Sequence, residues 1–143
     1  MSNLSLFMKK NKKVRENTFY AATESLQDEN GKPLEWEIKP LTTEETEQIR
    51  LDCTKNVPVP GKRGKYESKT DMNLYSAKLM VSAIVFPDLY NAELQDSYGV
   101  KTPEDLLKKM LDNPSEYYDL LGYISEMAGF DRDIEDEIEE AKN

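Results

Sequence analysis

Apolar positions along the chain follow two different periods, which divide it into a predicted β-hairpin and a predicted helical part. Residues 34–39 alternate between apolar and charged side chains, the pattern of a half-buried strand. The run DENGK lies just before them and supplies turn residues that tolerate positive φ. We therefore predict a hairpin over 14–41, with Trp36 and Phe19 packed on the helices that follow because a lone hairpin is marginally stable.

From residue 42 to residue 130 the apolar positions recur every three or four residues, which indicates helices. The helix starts carry capping residues, two of them followed by proline, and Gly129 supplies a stop. The segment from Asp71 to Phe86 is apolar on nearly all sides beyond Ala77 and is the predicted central helix. The predicted helices begin near Thr42, Asp71, Asn91, Thr102 and Asn113.

A break in this pattern separates the first two predicted helices. Residues 57–69 contain two prolines, two glycines and four basic residues, which predicts an irregular exposed loop. Its GKRGK run lacks the spacing of a phosphate-binding P-loop. Cys53 precedes this loop on the inner face of the first helix, so we predict a buried structural thiol.

The two ends differ from the part between them in charge. Residues 1–13 are predicted to form a flexible basic arm, and residues 131–143 an acidic C-terminal helix or tail. Either end can be read as a solvated terminus or as a docking segment. The predicted fold class is α+β and mainly α-helical: residues 14–130 form a single compact domain, in which the hairpin precedes a bundle of about five short helices.

Composition excludes several classes of function. The 143 residues carry a net charge of −9 and include no histidine and one cysteine. The composition therefore excludes His-based catalysis and cysteine metal clusters. An acidic chain is also a poor nucleic-acid binder, because its charge repels the phosphate backbone. No apolar run approaches the roughly 18 residues of a membrane span. We predict a cytoplasmic, non-enzymatic protein without cofactor or metal, whose partner is not nucleic acid or membrane.

One set of motifs in the helical part is more specific than the periodicity around it. The run NAELQDSYGV at residues 91–100 is followed by an LLKKML helix, a P-x-E-Y helix start and a closing Gly-Phe. The segments GKPLEW, PLTTEE and GFD add further similarity. In this combination the chain, from about Leu6 to its C-terminus, resembles the tail assembly chaperones of PBSX-like prophages and related tailed phages.

The resemblance implies a chaperone that binds the tape measure protein, keeps it soluble and assists assembly of the tail tube, without catalytic residues. It implies residence in the cytoplasm of the bacterial host and absence from the mature virion. Some related chaperones also have a frameshifted longer form that reaches the tail tube protein. Ala141-Lys142-Asn143 can be encoded by codons containing the slippery heptamer A AAA AAC.

The helical half is the predicted client-facing surface, because aromatic side chains are favoured at interfaces. Tyrosines at this spacing also occur in ordinary cores, and that alternative stays open, as does homo-oligomerisation through exposed hairpin edges. Two other functions are a structural tail or neck component retained in the virion, and a small non-enzymatic adaptor protein. The predicted client-binding residues are Tyr117, Tyr118, Leu121, Ile134 and Ile138.

Overall fold

A computed structural model describes residues 3–130 as five α-helices, two small antiparallel sheets and two short 3-10 helices. This confirms the predicted α+β class with helices in the majority. The elements are, in chain order, β1 (Thr18–Tyr20), β2 (Trp36–Ile38), α1 (Thr43–Asp52), β3 (Thr54–Pro58), β4 (Tyr66–Thr70), α2 (Met72–Ala83), β5 (Ile84–Phe86), α3 (Ala92–Ser97), α4 (Pro103–Met110) and α5 (Pro114–Ala128).

The predicted N-terminal hairpin is present but belongs to a larger sheet. Strands β1 and β2 pair antiparallel, and β2 pairs on its other side with β5, so the order is β1-β2-β5. Gly31 lies in the connection of the hairpin with a φ of 80°, as the turn prediction requires. Trp36 and Ile38 are fully buried on the inner face of the sheet. That face packs toward the helices and fixes the register of β2.

The central helix is shorter than predicted, because its last three residues form a strand. Helix α2 ends at Ala83, and Ile84–Phe86 continue as β5. Ile84 and Val85 are β-branched, which favours extended backbone, and Phe86 precedes a proline, which disfavours helix at that position. Phe86, the last residue of the predicted helix, has a side chain that is 63% exposed.

The segment predicted as an irregular loop is a second hairpin. Strands β3 and β4 pair over five residues, from Thr54 opposite Thr70 to Pro58 opposite Tyr66. The glycines and the second proline lie in its tip, where Gly61 and Gly64 have positive φ, so they end the strands without preventing them. The prediction of exposure holds, since residues 60–69 are all exposed.

Helix α2 lies at the centre of the core, as predicted. It contacts α1, α4, α5 and strand β5. It is buried on several sides because elements surround it, which explains its nearly continuous apolar sequence. Its buried residues are Tyr75, Ala77, Leu79, Met80, Val81 and Ala83.

Tyr20 fills the packing role that the hairpin prediction assigned to Phe19. The Tyr20 ring stacks on the ring of Tyr123 in α5, with centroids 4.4 Å apart. Phe19 points to the opposite face and is 62% exposed, so its predicted packing on the helices is wrong. Successive side chains of a strand point to opposite faces, so only one of these two aromatic rings can reach the core.

The predicted helix caps are confirmed. Thr42 forms both bonds of a capping box: its Oγ1 accepts from the Glu45 N–H at 3.2 Å, and its own N–H donates to Glu45 Oε1 at 3.1 Å. Asn91, Thr102 and Asn113 likewise accept from the first turn of α3, α4 and α5.

The structure describes most of the N-terminal segment but not the C-terminal one. Residues Asn3–Phe7 and Lys9–Asn11 form the two 3-10 helices, and they contribute no buried side chain. The acidic segment predicted over 131–143, with Ile134 and Ile138, lies outside the described residues.

Candidate functional site

A groove lies where the end of α4 meets the start of α5, and it contains the two tyrosines predicted to face a client. Its volume is about 430 Å³. The connection between the helices is short, because Leu111 ends α4 and Asn113 already caps α5. The lining residues are Lys108, Lys109, Leu111, Asp112, Pro114, Tyr117 and Tyr118.

The groove combines two aromatic rings with two lysines and one aspartate, Asp112. Lys108 and Lys109 lie in the last turn of α4, where positive charge is stabilised by the helix dipole. Tyr117 and Tyr118 form an edge-to-face pair with ring centroids 5.5 Å apart. Such a surface can contact apolar side chains of a partner and attract acidic ones.

Tyr117 and Tyr118 differ in burial. Tyr118 is 38% exposed and Tyr117 is half-buried against the core. Burial, with a smaller effect of Tyr118, raises the pKa of the Tyr117 hydroxyl above its usual value. The Tyr117 hydroxyl therefore stays neutral near pH 7 and can donate a hydrogen bond.

Leu121 does not share this surface. Its side chain is 1% exposed and belongs to the core together with Leu120 and Ile124. The helical spacing that places Leu121 one turn below Tyr117 also places it under the surface of the domain. Leu121 is therefore a packing residue that supports the groove from below.

The start of α5 is tied to the segment that follows β1. Glu116 Oε1 accepts a hydrogen bond from Thr23 Oγ1 at 2.8 Å, and Oε2 accepts one from the Glu24 N–H at 2.9 Å. The sequence predicts Glu116 as a first-turn carboxylate but gives no sign of this partner, which lies more than 90 residues earlier. The contact fixes the helix end from which both tyrosines project.

The environment of Cys53 agrees with the predicted structural thiol. Its side chain is buried, and burial raises the pKa of the thiol above its usual value. A raised pKa disfavours the nucleophilic thiolate. Within residues 3–130 no group of three Cys, Asp or Glu side chains is placed to hold a metal ion. No helix of this same part is long and apolar enough to cross a membrane.

Comparison with known proteins decides the family. The family model described as phage XkdN-like tail assembly chaperone protein matches residues 4–142, nearly the whole chain. The chain belongs to the XkdN-like tail assembly chaperone family. The resemblance seen in the motifs of residues 91–100 is thereby confirmed.

Two relatives from Bacillus subtilis (strain 168) extend the match. The phage-like element PBSX protein XkdN is 30% identical over 116 residues, which cover 81% of this chain and 77% of that protein. The protein YqbN is 31% identical over 116 residues, covering 81% and 76%.

The fold of the XkdN-like chain also matches a solved structure. The crystal structure of YqbN superposes with a TM-score of 0.75 at 22% identity, over 92% of this chain and 99% of that one. The description of the family, tail assembly chaperone, names a non-catalytic role.

Proposed function

We propose that this protein binds the tape measure protein during phage tail assembly, keeps it soluble and assists the assembly of the tail tube. The observation that carries the proposal is membership of the XkdN-like chaperone family over residues 4–142. In this role the protein acts in the cytoplasm of the bacterial host and is absent from the finished particle.

The groove of α4 and α5 is the client-binding surface in this proposal. A long helical client exposes apolar stripes before the tube surrounds it, and grooves with aromatic side chains accept such stripes. Tyr118 provides exposed aromatic area, and Tyr117 closes the floor beside it. Lys108 and Lys109 at the rim would pair with acidic residues that flank the stripe. Ile134 and Ile138 remain candidate contacts from the sequence alone.

Net charge supports solubility of the complex. The chain carries −9 at pH 7. A client covered by copies of a strongly charged protein repels other covered clients, which opposes aggregation. The chaperone thus contributes both coverage of apolar stripes and charge.

Co-expression tests this proposal directly. The chain is produced together with the tape measure protein encoded in the same phage genome, and the soluble fraction is separated by size-exclusion chromatography. We expect the client to be insoluble alone and to co-elute with the chaperone. A client that stays insoluble, or elutes separately, contradicts the proposal.

Two tyrosine variants locate the surface. Tyr118→Ala removes the exposed ring of the groove, and Tyr66→Ala removes a ring that is 66% exposed on the β3-β4 hairpin. We expect the first to reduce the client recovered per chaperone and the second to leave it unchanged. Equal recovery with both variants would place the client elsewhere.

Two further experiments separate the finer parts of the proposal. Purified particles should lack this protein, whereas its presence would favour a structural tail component. A frameshifted longer form that contacts the tail tube protein requires the heptamer A AAA AAC across the codons of residues 141–143. Codons without that heptamer would exclude this route.

A further inference from the structure

The outer face of the β1-β2-β5 sheet carries one row of side chains that the core does not use. In the register of the sheet Phe19 lies opposite Glu37, and Glu37 lies opposite Phe86. Directly opposed residues of antiparallel strands point to the same face, so the three side chains stand side by side. We name Phe19, Glu37 and Phe86 the outer row.

Both rings of the outer row are open to solvent. Phe19 is 62% exposed and Phe86 is 63% exposed. Val85, which bulges out beside Phe86, is 43% exposed and extends the apolar area. The two exposed phenylalanines and Val85 give one face of this small sheet an exposed apolar area that is interrupted by the Glu37 carboxylate. Exposed apolar side chains with a polar group among them are typical of binding surfaces.

Among residues 3–130, Glu37, between the rings, forms no ion pair. Its Oε2 accepts a hydrogen bond from the neutral Asn17 amide at 2.8 Å. The ion pairs found within residues 3–130 are Lys39 with Glu45 and Lys78 with Glu104, and neither includes Glu37. Glu37 is nonetheless half-buried. A partly desolvated carboxylate is stabilised most by a charge of opposite sign.

The charged residues on either side of β2 in the chain leave a net negative charge near Glu37. Glu35 precedes β2 and is exposed, and Lys39 follows it and is half-buried. The Lys39 ammonium lies 2.6 Å from Glu45 and is neutralised by it. A basic side chain of a partner is thus complementary to the outer row, whereas an acidic one would be repelled.

We propose that the outer row binds an arginine side chain of the client, a proposal that rests on the proposed chaperone function. Adjacent strands are about 4.8 Å apart, so the two phenylalanines stand about 10 Å apart with the carboxylate between them. A planar guanidinium fits this arrangement: it pairs with the carboxylate through two N–H donors and stacks its faces on aromatic rings. The flanking rings and Val85 then cover apolar residues next to that arginine.

Charge reversal with a matched control tests the outer row. In the co-expression assay Glu37→Lys is compared with Glu35→Lys, which makes the same charge change at an exposed position just before β2 and outside the row. We expect Glu37→Lys to lower the client recovered per chaperone on the order of tenfold, the scale of one lost charged pair. Glu35→Lys should change it little, and Phe19→Ser with Phe86→Ser should act like Glu37→Lys.

Controls keep folding apart from binding. Thermal unfolding followed by circular dichroism should be the same for both lysine variants. Should Glu37→Lys unfold early, Glu37→Gln replaces it and should still weaken recovery. Cross-linking of the wild-type complex then identifies the client arginine. Its change to Glu should weaken binding to the wild type and restore binding to Glu37→Lys.

The outcomes separate the two proposals. If the wild-type chain fails to recover the client, the chaperone proposal is overturned and the arginine site with it. If the wild type recovers the client and Glu37→Lys does so equally well, only the arginine site is overturned. Equal losses from Glu37→Lys and Glu35→Lys would show a general charge effect and would also overturn the site.

Discussion

The substitution Leu121→Ala distinguishes a supporting core residue from a contact residue in helix α5. Leu121 is 1% exposed and lies among Leu120, Ile124 and the residues of α2. Truncation removes buried methyl groups and leaves a cavity that the close-packed surroundings only partly fill. We expect the free energy of unfolding to fall by about 2 to 5 kcal/mol.

That loss is large compared with the whole free energy of unfolding of a domain. Domains of this size have a free energy of unfolding of about 5 to 15 kcal/mol. For a chain of about 150 residues each kcal/mol lowers Tm by roughly 2 to 4 °C, so Leu121→Ala should lower it by roughly 4 to 20 °C. Tyr118→Ala, on the exposed side of the same helix, should change the stability by less than about 1 kcal/mol.

The assay combines urea unfolding with the client recovery described above. Leu121→Ala should shift the unfolding midpoint and, at temperatures where it remains folded, still recover the client. Tyr118→Ala should show the reverse, with unchanged unfolding and reduced recovery. A Leu121→Ala protein of wild-type stability that has lost the client would refute the reasoning, because it would make Leu121 a contact residue and not a packing residue.

Three further outcomes are expected from local structure. Thr42→Ala removes the capping box of α1 and should lower the free energy of unfolding by about 0.5 to 2 kcal/mol in urea denaturation. Gly129→Ala places a Cβ at a φ of 82° and should lower the free energy of unfolding by about 1 kcal/mol. A larger loss would contradict this expectation, because a Cβ at this position meets no neighbouring atom. The hydrogen bond from Lys39 lowers the pKa of Glu45, so its stabilisation is present above the ordinary glutamate pKa of about 4.3 and is lost as pH falls. Lys39→Met should raise that pKa in an NMR titration and weaken this part of the acid dependence.

The helical half of the fold was predictable because its signals are local. Thr42, Asn91, Thr102 and Asn113 each cap a helix by a bond to a backbone N–H two or three residues away. Such bonds need only the right residue at the right spacing. These four helix starts can therefore be predicted from local sequence, without knowledge of the tertiary contacts.

The sheet was less predictable because strand pairing depends on residues that are distant in the sequence. A short apolar run such as Ile84–Phe86 fits a buried helix end and a strand equally well, and pairing with β2, more than 40 residues earlier, selects the strand. Phe19 and Tyr20 are adjacent aromatic residues, so a shift of one residue exchanges which of them faces the core. The register with β2 places Tyr20 inside.

In the candidate site, too, the local features were predictable and the features that depend on tertiary packing were not. Helical spacing correctly groups Tyr117 with Leu121 on one face, but spacing does not give depth below the surface. The depth depends on how α5 packs on α2, which brings Leu121 into the core and leaves Tyr118 outside. The outer row depends on strand pairing among three distant segments, and a single sequence contains no signal for it.

The groove and the outer row are connected through a short stretch of backbone. Phe19 lies four residues before Thr23, a separation of at most about 14 Å, and Thr23 bonds Glu116 directly beside Tyr117. A client helix of about 20 residues is about 30 Å long, so one helix is long enough to contact both surfaces. If one client molecule does so, the free-energy losses from Glu37→Lys and Tyr118→Ala should add, because the two sites share no contact. A double variant no weaker than either single variant would show that the two losses are coupled, and would refute independent contributions of the two surfaces to one binding event.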